Sequence, residues 1–186
     1  MSVPAIILAA GASRRFGRPK QLVEFFGESL LRRTILSVLA GCAPIFVVLG
    51  SQANRIATTL DELPVTVVIN ESWQEGIASS IRAGVQALPA NVDGVFIFVC
   101  DQTALDSLLV LRLLEVQSCN PGFVLASEYA GIRGTPAYFP AKYFYRLEGL
   151  KGDSGAGRLL RDNSVITVPF LNGDFDIDYP EDLEKY

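Results

Sequence analysis

The stretch ILAAGASRRFGRPK, Ile7 to Lys20, sets two glycines and four cations (Arg14, Arg15, Arg18 and Lys20) directly behind an apolar run. Glycines let backbone N–H groups approach an anion and the cations offset its charge, so the stretch has the make-up of a phosphate-cradling loop. It is neither familiar version. Walker A requires GxxxxGK[ST], whereas five residues separate Gly11 from Gly17 and Arg18-Pro19-Lys20 follow; GxGxxG fails because Ala12 and Ser13 follow Gly11. A different kind of nucleotide loop is implied, with a solvated basic turn as the plainer alternative. A second place is Cys100-Asp101-Gln102, where the apolar run VFIFVC ends in a carboxylate. Asp101 there is placed either to hold a divalent cation that also binds phosphates or to cap the helix that follows. A third, DFDIDYPED, carries five carboxylates in nine positions, Asp174, Asp176, Asp178, Glu181 and Asp182. Its Asp178 before Tyr179-Pro180 also has the form of a helix start.

Two further segments bring small residues close to a helix start. NESWQEGIASSIRAG, Asn70 to Gly84, ends a strand at Asn70 and places Gly76, Ala78, Ser79 and Ser80 where a ligand could approach; Trp73 reads as a packing aromatic and Arg82 as a snorkelling helix residue. In LKGDSGAGR, Leu150 to Arg158, Asp153 or Ser154 reads as an N-cap. Two glycines in a first helical turn cost about 1 kcal/mol each relative to alanine, which suggests that something approaches that backbone closely.

The elements that must position these residues alternate. Strands are expected over Val3 to Ala9, Ile45 to Gly50, Val65 to Asn70, Gly94 to Cys100, Phe123 to Ser127 and Val165 to Phe170, with a short one at Ala137 to Phe139. Helices are expected over Ser29 to Ala40, Gln52 to Glu62, Ile77 to Leu88, Leu105 to Ser118 and near Ser154 to Arg161, and GIRGTP (131 to 136) reads as a turn. Unbroken apolar strand runs suit strands covered on both faces, hence an α/β sandwich with a mostly parallel sheet. Ligands of such sheets sit at the carboxyl ends of the strands, where the loops above fall.

Composition narrows the chemistry. The chain has 186 residues, 49% hydrophobic and 19% charged, enough for one sizeable core, and reads as a single domain over 1–186. The three cysteines show no CxxC pairing, and the lack of histidine excludes a Ser/His/Asp triad and a His-ligated zinc site. No signal-like basic start or membrane-length apolar run is present, so a soluble cytoplasmic protein is expected, without a membrane partner. A net charge of −4 argues against nucleic-acid binding.

On these residues the chain resembles the MocA-like molybdenum cofactor cytidylyltransferases, within the larger group that includes the MobA guanylyltransferases. LAAGASRRFGRPKQL is similar to the family's LAAGxSxRMGxPKQL signature. Asn70 with GIASSIRAG, then CDQ, RGTPAYF, LKGDSGAGRLL and DIDYPEDL, match its later blocks in order. The chain departs from the family at Phe16 for Met, Thr103 for the proline of DQP, Thr135 for the frequent His of RGHP and Tyr179 for Thr. Thr103 and Thr135 open the possibility of a different acceptor.

The resemblance implies a GT-A-like nucleotidyltransferase fold, a mixed, mostly parallel sheet of about seven strands with helices on both faces. It implies a nucleotide site at Ala9, Ala10, Gly11, Ser13, Arg15, Lys20, Asn70 and Ser79, Mg²⁺ on Asp101 and Asp178, and acceptor contacts at Gly134, Asp153 and Asp176. Arg15, Lys20 and Asp101 are the expected catalytic residues. The implied reaction is transfer of CMP from CTP to a phosphorylated small molecule, the molybdenum cofactor in the family, for a possible molybdoenzyme client. The LAAG form points to CTP, since guanylyl members usually read LAGG. A guanylyltransferase, a CTP-dependent enzyme of the methylerythritol phosphate type, and a non-catalytic nucleotide-binding cofactor chaperone remain alternatives.

Overall fold

The computed structural model describes residues 2–162 and 164–185. At its centre β1 (Val3–Ala9) pairs in parallel with β4 (Cys42–Leu49) on one side and β6 (Gly94–Val99) on the other. Beyond β4 lies β5 (Val65–Ile69), again parallel. On the other flank β8 (Ile132–Pro140) runs antiparallel to both β6 and β7 (Leu125–Tyr129), and β9 (Ile166–Pro169) pairs in parallel with β7. The result is the expected mixed, mostly parallel sheet of seven strands, in the order β5-β4-β1-β6-β8-β7-β9.

The period of two along β1 shows why its apolar run is unbroken. Ala5, Ile7 and Ala9 face one core with Leu31, Ile35 and Val38 of α1 (Leu30–Leu39), Ile56 of α2 (Ala53–Ala57) and Leu113 of α4 (Ser107–Cys119). Ile6 and Leu8 face a second core with Ile81 and Val85 of α3 (Ile77–Gln86), Leu147 of α5 (Phe144–Glu148) and Leu160 of α6 (Gly157–Leu160). Both faces are covered, so both sets of side chains are removed from water. Among the described residues no helix is long and apolar enough to cross a membrane.

Several elements differ from expectation for local reasons. GIRGTP is mostly strand: Ala130 and Gly131, with φ of +46° and +73°, make a tight two-residue hairpin turn, and Ile132 to Pro136 belong to β8. A small hairpin of β2 (Glu24–Phe25) and β3 (Glu28–Ser29), turned through Phe26 and Gly27 (φ +51° and +84°), was likewise not expected. The helix expected over Gln52 to Glu62 is only five residues long. Gln52 is left-handed, and the Thr58 and Thr59 hydroxyls donate to the carbonyls of Arg55 and Ile56, competing with continuation of the helix. α4 begins after Asp106, whose Oδ1 accepts from Leu109 N at 2.8 Å. Neither Asp153 nor Ser154 caps α6, which starts after Ala156.

Candidate active site

The opening loop is held by its own side chains. Ser13 is left-handed (φ +52°), and its carbonyl accepts from Phe16 N and Gly17 N, both at 3.0 Å. Its hydroxyl accepts from Lys20 N at 3.0 Å and lies 3.4 Å from Gln21 Oε1. Gln21 is buried, and its Nε2 donates to the carbonyls of Ala9 (2.8 Å) and Gly11 (2.9 Å), closing the neck of the loop. Phe16 anchors the far side in a small cluster with Val23, Phe25, Leu30 and Ile177. Phe16 therefore fills the core where the family signature has Met.

Ile177 belongs to DFDIDYPED, and its burial there brings that segment to the loop. The segment also pairs with the end of β6: Ile177 N donates to Asp101 O at 3.2 Å, Thr103 N to Phe175 O at 3.3 Å, and Gln102 and Asp176 form an antiparallel bridge. The buried Gln102 side chain continues the strap, its Nε2 donating to Gly173 O at 2.9 Å and lying 3.3 Å from the Tyr129 hydroxyl. Asp182 Oδ2 accepts from the amides of Asp178 and Tyr179, fixing the Asp178 backbone.

Lys20 lies where these pieces meet. Its Nζ donates to Asp101 Oδ2 at 2.5 Å, Asp178 Oδ1 at 3.1 Å and Ile177 O at 3.3 Å, and Arg15 Nη1 reaches Asp178 Oδ2 at 3.0 Å. Burial acts to lower the Lys20 pKa, but Asp101 and Asp178 outweigh it and the value is raised, so the ammonium stays charged. Burial, then the neighbouring Asp101 carboxylate, pushes Asp176 up to about 6. Asp101 does not cap a helix; that role falls to Asp106.

A cleft of about 440 Å³ opens beside this network. Ala9, Ala10, Gly11, Ser13, Lys20, Asp101 and Asp153 line it, as do Arg14, Gln21, Trp73 and Ser80. Trp73 stands against Gly50, where a β-carbon would lie 2.5 Å from Trp73 Cβ, so a bare glycine is required for it to pack there. The start of α3 is clamped by the 150–156 loop: Ala78 N donates to Gly152 O at 3.1 Å, and Arg82 bonds both Leu150 O (2.7 Å) and Glu75 (2.5 Å). Gly76 (φ +118°) lies so close to Gly152 and Asp153 that no side chain fits there. A β-carbon at Gly155 would meet Ile77 only at ordinary contact distance and one at Gly157 would meet nothing, so the close approach falls at Gly152 and not at the two glycines expected in the first helical turn.

Arg15, Asn70, Ser79, Asp176, Asp178 and Gly134 are not on the cleft wall. Asn70 is buried, donating to the Ser79 and Ser80 hydroxyls (2.9 and 3.0 Å) and accepting from Ser72 N; Asn70 and Ser79 thus brace the turn that presents Ser80 and Trp73. Arg15 is mostly exposed and pairs with Asp178 at the rim. Gly134 is covered by the Tyr129 ring, a packing reason for its lack of a side chain.

Residues 5–167 match the family model described as the MobA-like NTP transferase domain. The chain belongs to the MobA-like NTP transferase family. This MobA-like chain is 31% identical over 169 residues to the nicotine blue oxidoreductase of Paenarthrobacter nicotinovorans, covering 86% of this chain and 81% of that one. It is 27% identical over 88 residues to the molybdenum cofactor cytidylyltransferase of Escherichia coli, covering 47% and 46%. A solved nucleotidyl transferase from Methanothermobacter thermautotroptrophicus shares the fold, with a TM-score of 0.83 at 23% identity over 99% of this chain and 95% of that one. The architecture is the GT-A-like nucleotidyltransferase fold.

The donor set fits a divalent cation. Asp101 and Asp178 both accept from the one Lys20 ammonium, so their oxygens converge on a single cationic position. Among the described residues no group of three or more His, Cys, Asp or Glu side chains forms a closed metal cage. Two carboxylates suit a hard cation that completes its coordination with phosphates and water. Gln21 and Gln102 were missed by sequence reasoning. Their one signal is a polar residue beside a motif, and only its burial shows that it holds two strands of chain together.

Proposed function

We propose that the chain transfers CMP from CTP to the phosphate of a molybdopterin-type acceptor, with Mg²⁺ and release of pyrophosphate. The convergence of Lys20, Arg15, Asp101 and Asp178 beside the Ala9–Ser13 wall of the cleft carries this reading. An acceptor phosphate oxygen is already ionised at neutral pH, so attack on the α-phosphate needs no general base, in keeping with a chain that lacks histidine. Catalysis then reduces to orienting two phosphates in line and offsetting charge. The Ala9–Ser13 wall would seat the base and ribose, with Asn70 and Ser79 bracing the opposite wall. Lys20 and Arg15 would neutralise the departing pyrophosphate, and Asp153 and Asp176 would face the acceptor. Mg²⁺ held by Asp101 and Asp178 would polarise the phosphates.

The LAAG form favours CTP, and the cytidylyltransferase relative supports a molybdenum-cofactor acceptor. The relative at 31% identity, named for a redox activity, favours a second reading in which the chain catalyses a redox reaction and releases no pyrophosphate from a nucleoside triphosphate. Pyrophosphate release from CTP and, separately, GTP, with Mg²⁺ and with or without molybdenum cofactor, separates the readings. Release requiring both CTP and cofactor is expected. Asp101→Ala is expected to remain folded by circular dichroism and to lose at least about a hundredfold in turnover, the scale of one transition-state electrostatic contact. Wild-type turnover in that variant would overturn the assignment.

A further inference from the structure

Asp101 and Asp178 are already neutralised by this chain's own cations, and the inference below rests on their proposed role as holders of the divalent ion. Two carboxylates face two cations: Lys20 bridges both acids, and Arg15 holds the second oxygen of Asp178. The Lys20 side chain is 15% exposed and that of Asp101 is 21% exposed, so this pair is shielded from solvent far more than a surface ion pair. A bare divalent ion would have to displace the ammonium from Asp101 and would then leave two positive groups side by side.

The geometry points to Lys20 as a tethered substitute cation, which closes the Asp101–Asp178 site to free divalent ions and opens it when a polyphosphate draws the ammonium away. The ligand the site takes is therefore a metal–polyphosphate pair. The triphosphate supplies the negative charge that Lys20 and Arg15 need on leaving the acids, and the freed carboxylates supply the oxygens that the metal needs. With both ligands present each carboxylate keeps a cation and each cation keeps an anion, whereas either ligand alone would leave one set without partners. The backbone holding Lys20 does not have to move far: its amide is fixed to the Ser13 hydroxyl, and the side chain has four rotatable bonds with which to swing.

The test is Mn²⁺ binding to nucleotide-free protein, read by electron paramagnetic resonance of the free ion, for the wild type, Lys20→Met, Lys20→Gln and Lys20→Met/Asp101→Asn. Methionine keeps the unbranched apolar stem of Lys20 up to the position before Nζ while removing its charge. Mn²⁺ binding by Lys20→Met is expected to be at least about tenfold tighter than by the wild type, equivalent to about 1.4 kcal/mol, and the double variant should lose that gain. Equal or weaker binding by a folded Lys20→Met overturns the inference. Should that variant fail to fold, Lys20→Gln serves the same comparison, and micromolar Mn²⁺ binding by nucleotide-free wild type overturns the inference on its own. None of these readings depends on turnover, so absence of pyrophosphate release from CTP would count against the proposed reaction and leave the Mn²⁺ comparison intact.

Discussion

At Gly134 a β-carbon would collide with the Tyr129 hydroxyl and lie 2.8 Å from its Cζ. The Tyr129 ring is itself held edge-on against Phe170, with centroids 5.7 Å apart, and its hydroxyl lies 3.3 Å from Gln102 Nε2. Gly134 is thus tied to the strap that carries Asp176 and Asp178, although it touches neither. Gly134→Ala is expected to destabilise the chain by about 1–3 kcal/mol, the usual cost of overpacking. Tyr129→Phe, which removes the colliding oxygen, should recover part of that loss in the double variant, as read from urea unfolding midpoints. A Gly134→Ala protein of wild-type stability with a changed acceptor KM would instead return Gly134 to substrate contact. The same scale separates Ser79 from Ser80: adjacent in sequence and both bonded to Asn70, they differ in that only Ser80 lines the cleft.

At the scale of elements, the turn from β6 into α4 divides two acidic roles that look alike in sequence. Asp101 follows the strand and meets Lys20, while Asp106 accepts the Leu109 amide and starts the helix. Asp106→Ala should therefore cost about 1 kcal/mol of stability, the usual worth of an N-cap, with metal affinity unchanged. Thermal unfolding and Mn²⁺ titration of that variant check the two halves of the statement. The β7–β8 hairpin shows a different limit on local reading. Gly131, Gly134 and Pro136 together suggest a long turn, yet the chain reverses at Ala130 and Gly131, and Thr135-Pro136 lie within β8 where its register with β7 is interrupted. Glycine and proline mark where the chain can turn; the neighbouring strand decides where it does.

Across the whole molecule, the two cores on the sheet faces hold the strands and the third cluster joins the ends. Phe16 from the opening loop and Ile177 from the acidic segment pack in that cluster, and the functional charges on either side follow them into contact. The cores also set the reactivity of the three cysteines. Burial pushes the Cys42 thiol up to about 12, and burial followed by the Asp101 charge pushes Cys100 up to about 12. Cys119 is exposed at the end of α4. Because the thiolate is the reactive form, a raised pKa leaves Cys42 and Cys100 protonated at pH 8. One thiol should then react with a disulfide reagent in the native protein and three in denaturant. The sequence alone determined the alternation of strands and helices, the covering of both sheet faces and the loops that carry charge. These follow from side-chain periodicity and from turn chemistry, which act over a few residues. Only the tertiary structure decided that Lys20 meets Asp178, 158 positions away, or that Gln102 ties β6 to Gly173, 71 positions away. Such partners are chosen by the path of the chain through the sheet, and no local pattern in either segment specifies which distant one it will face.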